Sequence, residues 1–147
     1  MIKRFGVVKN GLRQVCAGLI VGCLVGCGGV DDGFAYQPVS GVITVDGKPV
    51  AGLTISFAPQ GASLESGRPS VAKTDEEGRY VAKTLDGVSG AAVGEHLVSI
   101  TSEQLDPETQ EVIQPETIPA QYNRRTELRL SVPAGGTQEA NFALESD

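Results

Sequence analysis

The chain has 147 residues, with 12 Lys and Arg against 18 Asp and Glu, three Cys, one His and no Trp. A formal charge of −6 argues against nucleic acid, whose phosphates demand clustered Lys and Arg. One His and three Cys leave little material for a metal site or a nucleophile–base pair, while an apolar share of 40% is enough to bury a core and excludes wholesale disorder.

Met1 to Arg13 carries Lys3, Arg4, Lys9 and Arg13 and no acid, and Gln14 to Val30 carries no charge at all. The apolar stretch Val15 to Gly26 is 12 residues long, short of the roughly 20 that a membrane-spanning helix needs. A basic start, a short apolar run and small residues at its end mark a secretory signal peptide. The run closes on Leu24-Val25-Gly26-Cys27, which resembles the bacterial lipobox, a Leu and two small residues before a lipid-accepting Cys. That resemblance implies a thioether from the Cys27 thiol to diacylglycerol, with cleavage before Cys27 freeing its amine for another acyl chain. Each buried methylene contributes about 0.8 kcal/mol, and two or more chains anchor durably without a spanning helix. The organisation expected is therefore a signal peptide over 1–26, a lipidated Cys and tether over 27–38, and one domain over 39–147.

Removal of 26 residues takes four basic side chains and no acid, leaving eight bases against 18 acids and a formal charge of −10. Cys16 and Cys23 leave with the signal and Cys27 is consumed by lipid, so no thiol or disulfide is expected in the domain. Residues 28–38 lack any helical or strand period and read as a tether, with a reach of at most roughly 36 Å.

From Val39 onward, short alternating runs are broken by turn residues. Val39, Gly41, Ile43 and Val45 alternate with Ser40, Val42, Thr44 and Asp46, and Asp46-Gly47-Lys48-Pro49 predicts a hairpin turn. Leu53, Ile55 and Phe57 share one face of the next run. Val71–Thr74 and Tyr80–Thr84 flank a second turn at Asp75-Glu76-Glu77-Gly78. Glu95–Thr101 sets His96, Val98 and Ile100 on one side; Leu128, Leu130 and Val132 alternate later; Ala140, Phe142 and Leu144 close the series. These seven period-two runs predict an all-β fold, a seven-stranded antiparallel β-sandwich.

Ser40–Phe57 (SGVITVDGKPVAGLTISF), Thr74–Tyr80 (TDEEGRY) and Gly94–Ile100 (GEHLVSI) together resemble carboxypeptidase-regulatory-like domains in order and spacing. Ile118-Pro119-Ala120-Gln121-Tyr122-Asn123 is similar to a subgroup of small bacterial lipoproteins carrying that domain. The resemblance covers about residues 39–144 and implies a transthyretin-like, Greek-key sandwich without catalytic activity, since in carboxypeptidases the zinc site belongs to a separate domain.

The candidate sites are few. A lone His96 on a face with Val98 and Ile100 reads as packed rather than catalytic or zinc-binding. Asp75, Glu76 and Glu77 could offer oxygens to Ca²⁺, but Arg79 follows and the regular spacing of a binding loop is missing. No catalytic residue, metal or other cofactor is assigned.

Glu103 to Arg125 is a 23-residue stretch between two strands, longer than compact domains usually carry. Glu103, Asp106, Glu108, Glu111 and Glu116 come without a base among them, and Tyr122, Arg124 and Arg125 follow. This stretch is either an interaction loop or an acidic flap that Ile118 and Tyr122 staple onto the sandwich.

The function expected is that of a non-catalytic lipoprotein held to the bilayer through acylated Cys27, acting as a structural or protein-interaction module at the bacterial cell envelope. Gly28 in place of Asp after the Cys favours the outer membrane. The alternative is a binding module for cell-wall or extracellular carbohydrate or another small ligand.

Overall fold

A computed structural model describes residues 33–61 and 67–146. The expected signal peptide, Leu24-Val25-Gly26, Cys27 and the first part of the expected tether lie outside the described residues.

Among the described residues there is no α-helix, and none is long and apolar enough to cross a membrane. In chain order the strands are β1 (Tyr36–Gln37), β2 (Ser40–Val45), β3 (Lys48–Pro49), β4 (Thr54–Pro59), β5 (Ser70–Lys73), β6 (Arg79–Val81) and β7 (Lys83–Thr84). Then come β8 (Ala91–Ala92), β9 (Gly94–Thr101), β10 (Gln104–Leu105), β11 (Val112–Gln114), a 3-10 turn at Ala120–Tyr122, β12 (Arg129–Val132) and β13 (Phe142–Leu144). Each of the seven expected runs holds a strand, but the count is higher for two reasons. Pairings of two or three residues are too short to show a period. The run Tyr80–Thr84 is also broken at buried Ala82, where the chain passes from one sheet to the other: β6 pairs with β2 and β7 with β5. Ala82 is held there by its N–H on the Val39 carbonyl (2.9 Å) and its own carbonyl on the Gly90 N–H (2.8 Å).

The larger sheet runs in the order β12-β9-β4-β5-β7, antiparallel throughout. The smaller runs β13-β2-β3, with β6 also on β2. One pair departs from the antiparallel expectation: β13 lies parallel to β2, in register Phe142↔Ile43 and Leu144↔Val45. The cause is the chain path, because after the reversal at Pro133–Gly136 the chain returns past Pro38 and Ser40 and then runs in the direction of β2. Two side-chain ties reinforce the pair. The Val42 N–H donates to Asn141 Oδ1 (2.8 Å), and the Asp46 carboxylate accepts from the Ser146 N–H (3.0 Å) and hydroxyl (2.6 Å).

The expected turn after β2 is present, with both Asp46 (φ 50°) and Gly47 (φ 76°) in the left-handed region that a two-residue hairpin turn requires. Alternation along β4 and β9 buries Ile55, Phe57, Val98 and Ile100 completely. They pack with Ile43, Tyr80 and Leu144 of the smaller sheet in one apolar cluster. The Phe57 and Tyr80 rings meet across the two sheets with centroids 5.9 Å apart, an arrangement compatible with a β-sandwich.

This topology gives the domain two ends. β1 pairs with β8 (Tyr36↔Ala92) just before β9 begins. The eight residues of β9 then carry the chain about 26 Å to Thr101, where the 103–125 stretch begins. That stretch therefore stands at the end of the domain remote from its N-terminal entry.

Candidate functional site

The stretch expected as one long loop has three parts. Its first part is a hairpin in which β10 pairs with β11, Gln104 opposite Gln114 and Leu105 opposite Val112, with an irregularity that leaves Ile113 out of register. The Gln104 side chain donates to that of Gln114 (3.1 Å) on one face. The Leu105–Val112 pair lies on the tip side of that irregularity, with both side chains exposed. Asp106 builds the tip: its carboxylate accepts from the Glu108 and Thr109 N–H groups (both 2.8 Å), and those two bonds hold its pKa below the usual carboxylate value. Asp106 is thus a turn former, while Glu103, Glu108 and Glu111 are exposed around it.

Glu116 has a different role from the other acids. One carboxylate oxygen accepts from the Ser102 N–H (2.9 Å), the Ser102 hydroxyl (2.7 Å) and the Ile118 N–H (2.9 Å), and the other accepts from the Thr101 hydroxyl. Partial burial raises its pKa, but these four donors together outweigh that and hold it down to about 2. The Ser102 hydroxyl also receives the Thr117 N–H (2.7 Å). Glu116 therefore clasps the two legs of the hairpin at its base and presents no free carboxylate.

The third part folds back. Ile118 is buried, Tyr122 packs against the core, and the Tyr122 hydroxyl accepts the Glu145 N–H (3.2 Å). Ile118 and Tyr122 thus hold this part of the stretch against the core. Arg124 and Arg125 are exposed on the following turn. Arg125 and Tyr122 line a cavity of about 740 Å³ with Glu127, Leu128 and Glu145. The structure thus divides the eight proposed residues into an exposed acidic hairpin (Glu103, Glu108, Glu111), structural positions (Asp106, Glu116, Tyr122) and a separate basic turn (Arg124, Arg125).

Two features lay outside the sequence reading. The first is the exposure of Leu105 (44%), Val112 (56%) and Ile113 (64%) in the acidic hairpin; the apolar residues were visible in the sequence, but the pairing that presents them was not. The second is a groove of about 990 Å³ along β2, β5, β6 and β7, lined by Val42, Val71, Lys73, Arg79, Val81 and Lys83 among others. Arg79 is engaged there by Asp75 (3.1 Å) and Glu77 (3.0 Å), whereas Lys73 and Lys83 have no ion-pair partner among the described residues.

His96 is buried on the inner face of β9, with Nδ1 3.1 Å from the Gly94 carbonyl oxygen. A carbonyl only accepts, so Nδ1 carries the hydrogen and Nε2 is left as a buried lone pair without a partner. Asp75 spends its carboxylate on the Glu77 N–H (3.0 Å) and on the Arg79 N–H (2.8 Å) and Nε (3.1 Å). Among the described residues no three His, Cys, Asp or Glu side chains gather to hold a metal ion. No protein-family model, no curated protein and no solved structure matches the chain.

Proposed function

We propose that the chain is a non-catalytic interaction module of the bacterial cell envelope, lipid-anchored through Cys27 and built on a carboxypeptidase-regulatory-like, transthyretin-like sandwich. Its contact element is the 104–114 hairpin. The observation that carries this reading is the exposure of Leu105, Val112 and Ile113 on a ribbon whose base is clasped by Glu116. Apolar side chains held in water on an ordered element are what a protein partner buries, and the clasp reduces the ordering entropy lost on binding. The Leu24-Val25-Gly26-Cys27 motif supports the anchor. The antiparallel pairing of the larger sheet and the shared core support the sandwich.

The test is in-cell crosslinking of the full-length protein, with Leu105→Ser, Val112→Ser and Ile113→Ser combined in the comparison chain. A specific protein recovered with the wild type and lost with the variant supports the reading; equal recovery from both, or none from either, rejects the hairpin as the contact element.

The alternative, a carbohydrate or small-ligand module, is supported by the cavity beside Tyr122 and Arg125. It predicts saturable binding to a glycan array that Tyr122→Ala abolishes.

A further inference from the structure

We propose that the groove along β2, β5, β6 and β7 receives the hairpin of a second copy of this chain, so that copies dock head to tail. The inference rests on the interaction-module reading and names the partner of that hairpin.

Two surfaces of opposite character are left uncovered on one molecule. The hairpin presents apolar Leu105, Val112 and Ile113 among Glu103, Glu108 and Glu111, with no base anywhere from 103 to 116. The groove presents apolar Val42, Val71 and Val81, the last 62% exposed, beneath Lys73 and Lys83. Asp75, the acid in the groove lining, is engaged by Arg79, so Lys73 and Lys83, without ion pairs among the described residues, leave the groove with a positive surplus. An acidic ribbon with exposed apolar side chains matches that groove in both charge and hydrophobicity.

The two surfaces do not satisfy each other within one chain, since Val81 is exposed at one and Leu105, Val112 and Ile113 at the other. A contact between different patches of identical chains is heterologous, and it propagates to a closed ring or an open row. Copies tethered to one bilayer share an up direction, and a groove on the side of the domain permits lateral docking in the membrane plane.

The test uses the full-length chain in membranes, with Val81→Cys and Leu105→Cys placed together. On oxidation the double variant is expected to give a ladder of disulfide-linked multimers, because each copy carries both halves of the contact; each single variant gives nothing beyond a dimer. Lys73→Glu with Lys83→Glu removes the ladder, Glu108→Lys with Glu111→Lys removes it too, and all four together restore it. These four side chains are exposed, so their reversal leaves the fold intact. A double-cysteine chain that stays monomeric, or a ladder indifferent to charge reversal, overturns the proposal. Hairpin-dependent capture of a different protein without a ladder would sink self-docking alone and leave the interaction-module reading standing; loss of both would sink both.

Discussion

The Tyr80 hydroxyl donates to the Ala140 carbonyl oxygen at 2.5 Å, and that same oxygen lies 2.1 Å from where a Cβ on Gly41 would stand. One carbonyl thus joins β6 to the chain entering β13 over the top of a glycine in β2. Tyr80→Phe leaves the carbonyl without its buried donor and should cost on the order of 1–2 kcal/mol. Gly41→Ala forces the Ala140 backbone to move and should cost more than Tyr80→Phe. Urea denaturation of the two variants beside the wild type tests the order.

His96 gives a pH dependence with a definite sign. Burial lowers its pKa below the ordinary 6.5, with the Gly94 carbonyl and the Glu95 charge acting weakly in the opposite sense. The unfolded chain therefore takes up the proton first as pH falls. The contribution of neutral His96 is complete above about pH 6.5 and declines below it toward the folded value. In His96→Leu the stability difference between pH 7.5 and pH 5.5 should shrink, and chemical denaturation at the two pH values measures it. An unchanged difference would place the pH dependence elsewhere.

Glu116 acts in the same direction, over a lower pH range. Its pKa is held down to about 2 from an ordinary 4.5, so its contribution is complete above pH 4.5 and is lost as pH falls from there toward 2. Solvent reaches this carboxylate, so Glu116→Gln should cost only on the order of 1 kcal/mol of global stability. The local effect is larger. Amide exchange should accelerate across 103–115 and remain unchanged in β4 and β9. A uniform acceleration would mean that Glu116 supports the whole fold rather than the hairpin.

The anchor has its own test. Cys27→Ser removes the thiol that the lipobox reading requires, so the chain should accumulate as an unlipidated precursor on a mobility-shift gel. A fully processed, membrane-bound Cys27→Ser protein would falsify lipidation at that position.

The strands of the domain were legible wherever four or more residues alternated, as in Leu53–Phe57 and Glu95–Thr101, because burying one face of a sheet imposes period two. Strand direction was not, since parallel and antiparallel neighbours leave the same alternation; β13 beside β2 is the instance. Nor was the sheet crossing at Ala82, a residue that either sheet could hold. The candidate site was legible as a stretch of unusual length and charge. Glu116 and Asp106 looked like Glu108 and Glu111, however, because a sequence shows a carboxylate but not the N–H groups that surround it. The groove was invisible because four strands from distant parts of the chain assemble it.

The pairing of β13 with β2 also joins the first long strand of the domain to its last. Residues 142–144 complete the edge of the sheet that Ser40–Val45 begins, and the Val42–Asn141 and Asp46–Ser146 bonds each span about a hundred residues. Contacts so distant along the chain close late, after the loops between them have been made. Removal of residues 142–146 therefore takes away an edge strand rather than a tail.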